Sequence, residues 1–89
     1  MPTARSSSAN GFRDPRYREA IERLVAARRE AGLSQAGLAD AIGRHQQFVS
    51  RYEIGERRLD FIEFIDIASA LGVDGLSILA TASNGGSVR

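Results

Sequence analysis

Eighty-nine residues, 43% of them hydrophobic and 26% charged, suffice for one small folded domain. The absence of cysteine excludes a disulfide framework and a thiolate metal site, and one histidine leaves no zinc set and no nucleophile–base pair. The net charge of +1 hides an asymmetry: residues 1–58 carry eleven arginines against seven acids, whereas residues 59–88 carry four acids and no base. One end is thus a candidate for a polyanion and the other for a partner or solvent.

In chain order, residues 1–14 hold Pro, Ser, Asn and Gly without periodicity, which predicts a disordered arm. Asp14 as cap and Pro15 in the first turn open a first helix running to about residue 31. Its inward face is Tyr17, Ala20, Ile21, Leu24, Ala27, Arg28 and Ala31, spaced by three and four. Gly32 ends it, and Leu33 folds back as the apolar contact beyond the cap. Ser34 caps a second helix over 35–42. A third runs over 46–53, with His45 where Ser or Thr is the usual cap, and residues 54–59 form a loop. Asp60 and Glu63 make a capping box for a fourth helix over 61–71, with Phe61, Phe64, Ile65, Ala68 and Leu71 as its core positions. After Gly72, a fifth helix over 75–81 carries Leu76, Ile78 and Leu79. Residues 83–89, with Asn84-Gly-Gly, read as a flexible tail, so the folded domain spans 15–82. No apolar run approaches the ~20 residues of a membrane span. Five short helices without a strand pattern predict an all-α, five-helix orthogonal bundle.

The stretch from Ser34 to Gly55 organises this bundle. Leu38, Ala39 and Ile42 share one face of the second helix, and Val49 and Tyr52 one face of the third. Ala39 permits close approach, Gly43 supplies a residue tolerant of positive φ at the corner, and Val49 and Tyr52 pin the third helix to the core. With Gly32-Leu-Ser-Gln35, Leu38-Ala39, Phe48-Val-Ser-Arg-Tyr-Glu-Ile-Gly55 and Ala70-Leu-Gly-Val73, the chain from 17 to about 80 resembles the phage-repressor and Cro type of helix-turn-helix, the Xre family. Three positions depart from the family pattern. Gly37 stands where Glu often completes a capping box with Ser34, and it costs about 1 kcal/mol of helix propensity against Ala. Arg44 replaces a common aliphatic residue, which predicts a less buried turn. His45 is the third departure.

The resemblance implies a lambda-repressor-like fold and a sequence-specific regulator of transcription, a repressor acting as a homodimer on a palindromic site in double-stranded DNA. With Val49 and Tyr52 inward, Gln46, Gln47, Ser50 and Arg51 become the base-reading residues at the exposed end and face of the third helix. Gln pairs bidentately with adenine, Arg with guanine, and Ser with several partners. Phe48 falls on the boundary, either a core flank or an apolar surface for a thymine methyl. Ser34 and Gln35 at a helix N-terminus, with Arg44, Arg57 and Arg58 around the same face, are candidate phosphate contacts. In related repressors the Gln at the position of Gln35 touches the backbone and braces the recognition helix. Arg28 and Glu53 match a structural ion pair of some members, a reading in competition with Arg28 reaching phosphate directly. Leu76, Ile78 and Leu79 are the candidate dimer contact.

No catalytic constellation, metal site or cofactor motif accompanies these features, and the expectation is a protein that is not an enzyme. Glu19, Glu22 and Glu30 fall on the outer face of the first helix, where solvated charge is the default. The competing expectation is an interaction module: an antitoxin with a toxin partner, or a restriction–modification controller protein of similar size using the same domain. Localisation is expected in the cytoplasm of a bacterium, the gene being bacterial or phage-borne.

Overall fold

The computed structural model describes residues 13–86, so the expected N-terminal arm lies outside the described residues through position 12. The described chain is all α: α1 Pro15–Glu30, α2 Gln35–Ile42, α3 Gln46–Ile54, α4 Phe61–Leu71 and α5 Gly75–Gly86. Four of the five helices open on a side-chain cap that satisfies an otherwise orphaned amide. Asp14 accepts from the Arg16 amide at 2.8 Å, and Ser34 Oγ from the Gly37 amide at 2.9 Å. Asp60 Oδ1 accepts from the Glu63 amide at 2.7 Å while Glu63 Oε1 accepts from the Asp60 amide at 3.0 Å, completing the capping box. Asp74 Oδ1 takes the Leu76 amide at 3.0 Å. Only α3 begins without such a bond, because His45 offers none.

Gly43 sits at φ 71°, the left-handed region that costs glycine nothing, and the chain reverses there from α2 into α3. The following Arg44 amide returns to the Ala39 carbonyl at 2.9 Å. α2 packs on α3 and α4, while α5 lies along α1. Ile21, Leu24, Leu38, Val49, Tyr52 and Ile67 are the largest fully buried side chains, one or more from each of the first four helices. At about 1.5–3 kcal/mol for each buried aliphatic side chain, this shared centre rather than helix propensity holds the short helices. α4 and α5 bend by 117° across their break. Gly75 allows that corner, since a Cβ there would come within 3.0 Å of Phe64 Cε2. Among the described residues no single helix is long and apolar enough to cross a membrane.

The structure corrects the expected faces in three places. In α4, Phe61 is 74% and Ile65 52% exposed, whereas Ile67 is fully buried with Phe64 and Ala68. This helix is apolar almost all round, so spacing alone allowed more than one inward stripe. Ala31 falls outside α1 and is exposed, because the helix closes at Glu30 ahead of the Gly32 turn. α5 continues to Gly86, past 81 and into the expected tail. Ala82, buried in the core, anchors it there, and the Thr81 hydroxyl donates back to the Ser77 carbonyl at 2.9 Å.

Candidate nucleic-acid interface

Burial of Val49 and Tyr52 fixes the rotation of α3 about its axis, and at 100° per residue the opposite side carries Gln46, Gln47, Ser50, Arg51 and Ile54. Gln46, Gln47 and Arg51 are exposed and Ser50 is half-buried. Among the described residues their four side chains make no hydrogen bond or ion pair. An amide, a hydroxyl and a guanidinium held outward without internal partners keep their full donor and acceptor capacity for a ligand.

Behind this face the polar groups are tied. Arg28 Nε and Nη2 donate to Glu53 Oε2 and Oε1 at 2.7 and 3.0 Å, a bidentate pair buried on both sides. Arg28 Nη1 also donates to the Leu33 carbonyl at 2.9 Å, and Gln35 Nε2 donates to Glu53 Oε1 at 2.9 Å. The end of α1 and the start of α2 thereby converge on one carboxylate of α3, and the loop between them is tied in through Arg28. Arg28 is spent on this brace. Gln35 keeps one N–H of its amide, and Ser34 keeps its hydroxyl proton after capping α2. The neighbouring Tyr52 phenol lies far above its ordinary pKa because burial penalises the phenolate.

The flanking arginines are also engaged. The Arg44 guanidinium lies 3.9 Å, and that of Arg57 4.8 Å, from the centre of the Phe48 ring. Phe48 itself is buried, so it is a core flank under a cationic cover and not an exposed surface for a thymine methyl. Arg57 Nη1 and Nη2 donate to Glu63 Oε1 and Oε2 at 2.8 and 2.9 Å, and Arg44 Nη2 donates to Glu63 Oε2 at 3.3 Å. Arg57 Nη1 further donates to the Arg58 carbonyl at 2.9 Å. The bonds from Arg57 hold the Glu63 carboxyl down to about 2 from 4.5, so it is charged throughout the neutral range. Arg58 lies over the Tyr17 ring at 5.9 Å, away from Phe48's cover. Arg44 is exposed, as its replacement of an aliphatic residue in the turn led one to expect.

Glu63 is the residue whose part in the site the sequence did not disclose. The Asp60-x-x-Glu63 spacing announces a cap, but its arginine partners lie 19 and 6 positions away, beyond any local pattern. Of the proposed dimer contacts, Leu76 is 76% and Leu79 44% exposed. Ile78, between them on the same helix, is half-buried and packs against the core. Leu79 and Phe61 line an open groove of about 620 Å³ between α1, α4 and α5, whose floor includes Ile21 and Phe64. Among the described residues no three His, Cys, Asp or Glu side chains come together to hold a metal ion.

The arrangement is one helix with a bare polar face, braced from behind and flanked by cations, which suits insertion into a groove lined by phosphates. A helix-turn-helix family model matches residues 24–77, a span that includes the brace, the α2–α3 turn and the start of α5. Among solved structures, an XRE-family like protein from Pseudomonas syringae pv. tomato str. DC3000 is similar at 37% identity, with a TM-score of 0.78, over 88% of this chain and 95% of the other. Comparison with curated protein sequences gives no significant match.

Proposed function

The chain belongs to the Xre-type helix-turn-helix family of DNA-binding transcription regulators, and on that premise we propose that it is a repressor that binds a palindromic operator as a homodimer in the bacterial cytoplasm, without enzymatic activity. α3 enters the major groove, where Gln46, Gln47, Ser50 and Arg51 meet base edges. Ser34, Gln35, Arg44, Arg57 and Arg58 contact the phosphates on either side. The observation that carries this reading is the outward face of α3. Its four polar side chains are unpartnered among the described residues, while the polar groups behind it, Arg28, Gln35 and Glu53, are bonded to one another.

The second copy is placed on α5. Leu76 and Leu79 are large apolar side chains left in solvent on a helix that otherwise packs on α1, and an isologous contact there would set two α3 helices one DNA turn, about 34 Å, apart. Selecting bound sequences from a random duplex pool tests the whole reading. A palindrome with half-site centres one helical turn apart is expected. Recovery of no enriched sequence would defeat it and favour the interaction-module reading, in which a toxin or another protein takes the exposed surface.

A further inference from the structure

We infer that Glu63 sets the specificity of DNA binding by locking Arg44 and Arg57 into one arrangement against Phe48, so that both cations serve a single docking posture instead of any duplex. The inference rests on the DNA-binding reading above and adds a positioning residue to it, one that acts through its arginines.

Four elements meet at this point: Arg44 from the α2–α3 turn, Phe48 from the first turn of α3, Arg57 from the loop after α3, and Glu63 from the first turn of α4. The carboxylate lies inside and the guanidiniums outside, with side-chain exposures of 13% against 39% for each arginine. Both oxygens are filled. Oε1 accepts from Arg57 Nη1 and the Asp60 amide, and Oε2 from Arg57 Nη2 and Arg44 Nη2. Because the capping box fixes Glu63 to the start of α4, the carboxylate cannot follow a wandering arginine. The ring of Phe48 supplies a flat bed for both planar cations.

The consequence for a polyanion is twofold. Two arginines with one carboxylate present a net single positive charge, which halves the sequence-independent attraction the pair would otherwise exert. Their long stems are already ordered, so a duplex that docks α3 in the right register meets them at little entropic cost. Random duplex, approached in many postures, gains least from cations that cannot adapt. Glu63 thereby lowers non-specific affinity more than operator affinity.

The test measures dissociation constants for the selected site and a scrambled duplex across a salt series. The proteins are the full chain and its Glu63→Gln variant, each with and without Arg44→Ala/Arg57→Ala. Gln retains a side-chain oxygen for the Asp60 amide, so the cap survives. Glu63→Gln should tighten binding to scrambled duplex about threefold to tenfold and steepen its salt dependence by about one counterion. The selected site should gain less, so the ratio of the two affinities falls. Without the two arginines the same change should alter scrambled-duplex affinity by less than about twofold, since Glu63 then has nothing to hold. An unchanged ratio in Glu63→Gln overturns the inference. So does an undiminished effect in the arginine-free background, which would make Glu63 a simple repelling charge. If the Gln variant fails to fold, Glu63→Asp serves: it keeps charge and cap, is too short to bridge both arginines, and must still lower the ratio. A wild-type protein that binds no duplex at all removes the DNA-binding reading, and this inference with it.

Discussion

Gln47 and Glu53 stand six residues apart on α3 and do opposite work. Gln47 points outward with no partner among the described residues, so Gln47→Ala should leave the melting temperature nearly unchanged. It should cost about 1–3 kcal/mol on the selected site and relax preference at one base position. If Gln47→Ala and Ser50→Ala both leave the ratio of selected-site to random affinity intact, α3 is not the reader. Glu53→Ala should do the reverse. It strands the buried Arg28 guanidinium and the Gln35 amide, and losing one partner of a buried pair costs about 3–5 kcal/mol. A denaturant midpoint unchanged by Glu53→Ala would show the brace to be dispensable. Both placements were foreseeable, for different reasons. The outward set follows from Val49 and Tyr52 being apolar three apart, whereas the Arg28–Glu53 match came only from family resemblance. The arginine pair around Glu63 was legible only in half. Arg44 and Arg57 could be placed on the same face as α3, but the carboxylate that holds them is fixed by how α4 packs back on α2.

At the scale of the elements, helix starts other than that of α3 were readable because they carry their own chemistry. Ser34, Asp60 and Asp74 satisfy amides within three residues of themselves, and that information is local. Faces and far ends were less so. α4 offers apolar residues at nearly every position, and only the packing of α1, α2 and α5 against it selects Phe64, Ile67 and Ala68 for the interior. The Asn84-Gly-Gly run signalled a stop that burial of Ala82 against the core overrides. Two predictions belong here. Gly75→Ala should lower stability on balance, because its Cβ would lie 3.0 Å from the buried Phe64 ring, and overpacking of about 1–3 kcal/mol outweighs a gain of about 1 kcal/mol in helix propensity. A raised melting temperature would mean the α4–α5 corner has slack. The second concerns acid. Glu63 has a folded value of about 2 against 4.5, so its stabilising share is whole above about pH 4.5 and is lost as pH falls toward 2. Asp14, lowered from 3.8 to about 2 by its bonds to Arg16, adds in the same direction over the lower part of that window. Thermal melts between pH 5 and pH 2.5 should therefore fall more steeply for wild type than for Glu63→Gln. Parallel slopes would remove Glu63 from the acid transition.

At the scale of the whole molecule, the described surface carries cationic and apolar side chains in separate places. Arg44, Arg51 and Arg57 gather around α3, while Leu76 and Leu79 lie on α5, and Leu79 shares its groove with Phe61. A domain of this size has few apolar side chains to spare, and leaving Leu76 and Phe61 three-quarters exposed is costly for a protein that works alone. The proposed dimerisation through α5 would give those side chains a destination and couple two recognition helices, so operator affinity would draw on both half-sites while a single half-site would gain nothing from the partner. Leu79→Asp separates the two. Leu79 is 44% exposed, so a carboxylate there can reach water and the monomer should keep its fold. Two such carboxylates facing each other across a two-fold axis should abolish the dimer. Sedimentation should then give the monomer mass at concentrations where wild type is dimeric. Binding to the full palindrome should fall to the level of a half-site duplex, and half-site affinity should match wild type. Loss of half-site affinity as well would mean that α5 supports α3 within one chain. A wild-type protein that sediments as a monomer, both free at high concentration and on the palindrome, would rule out the two-fold contact altogether.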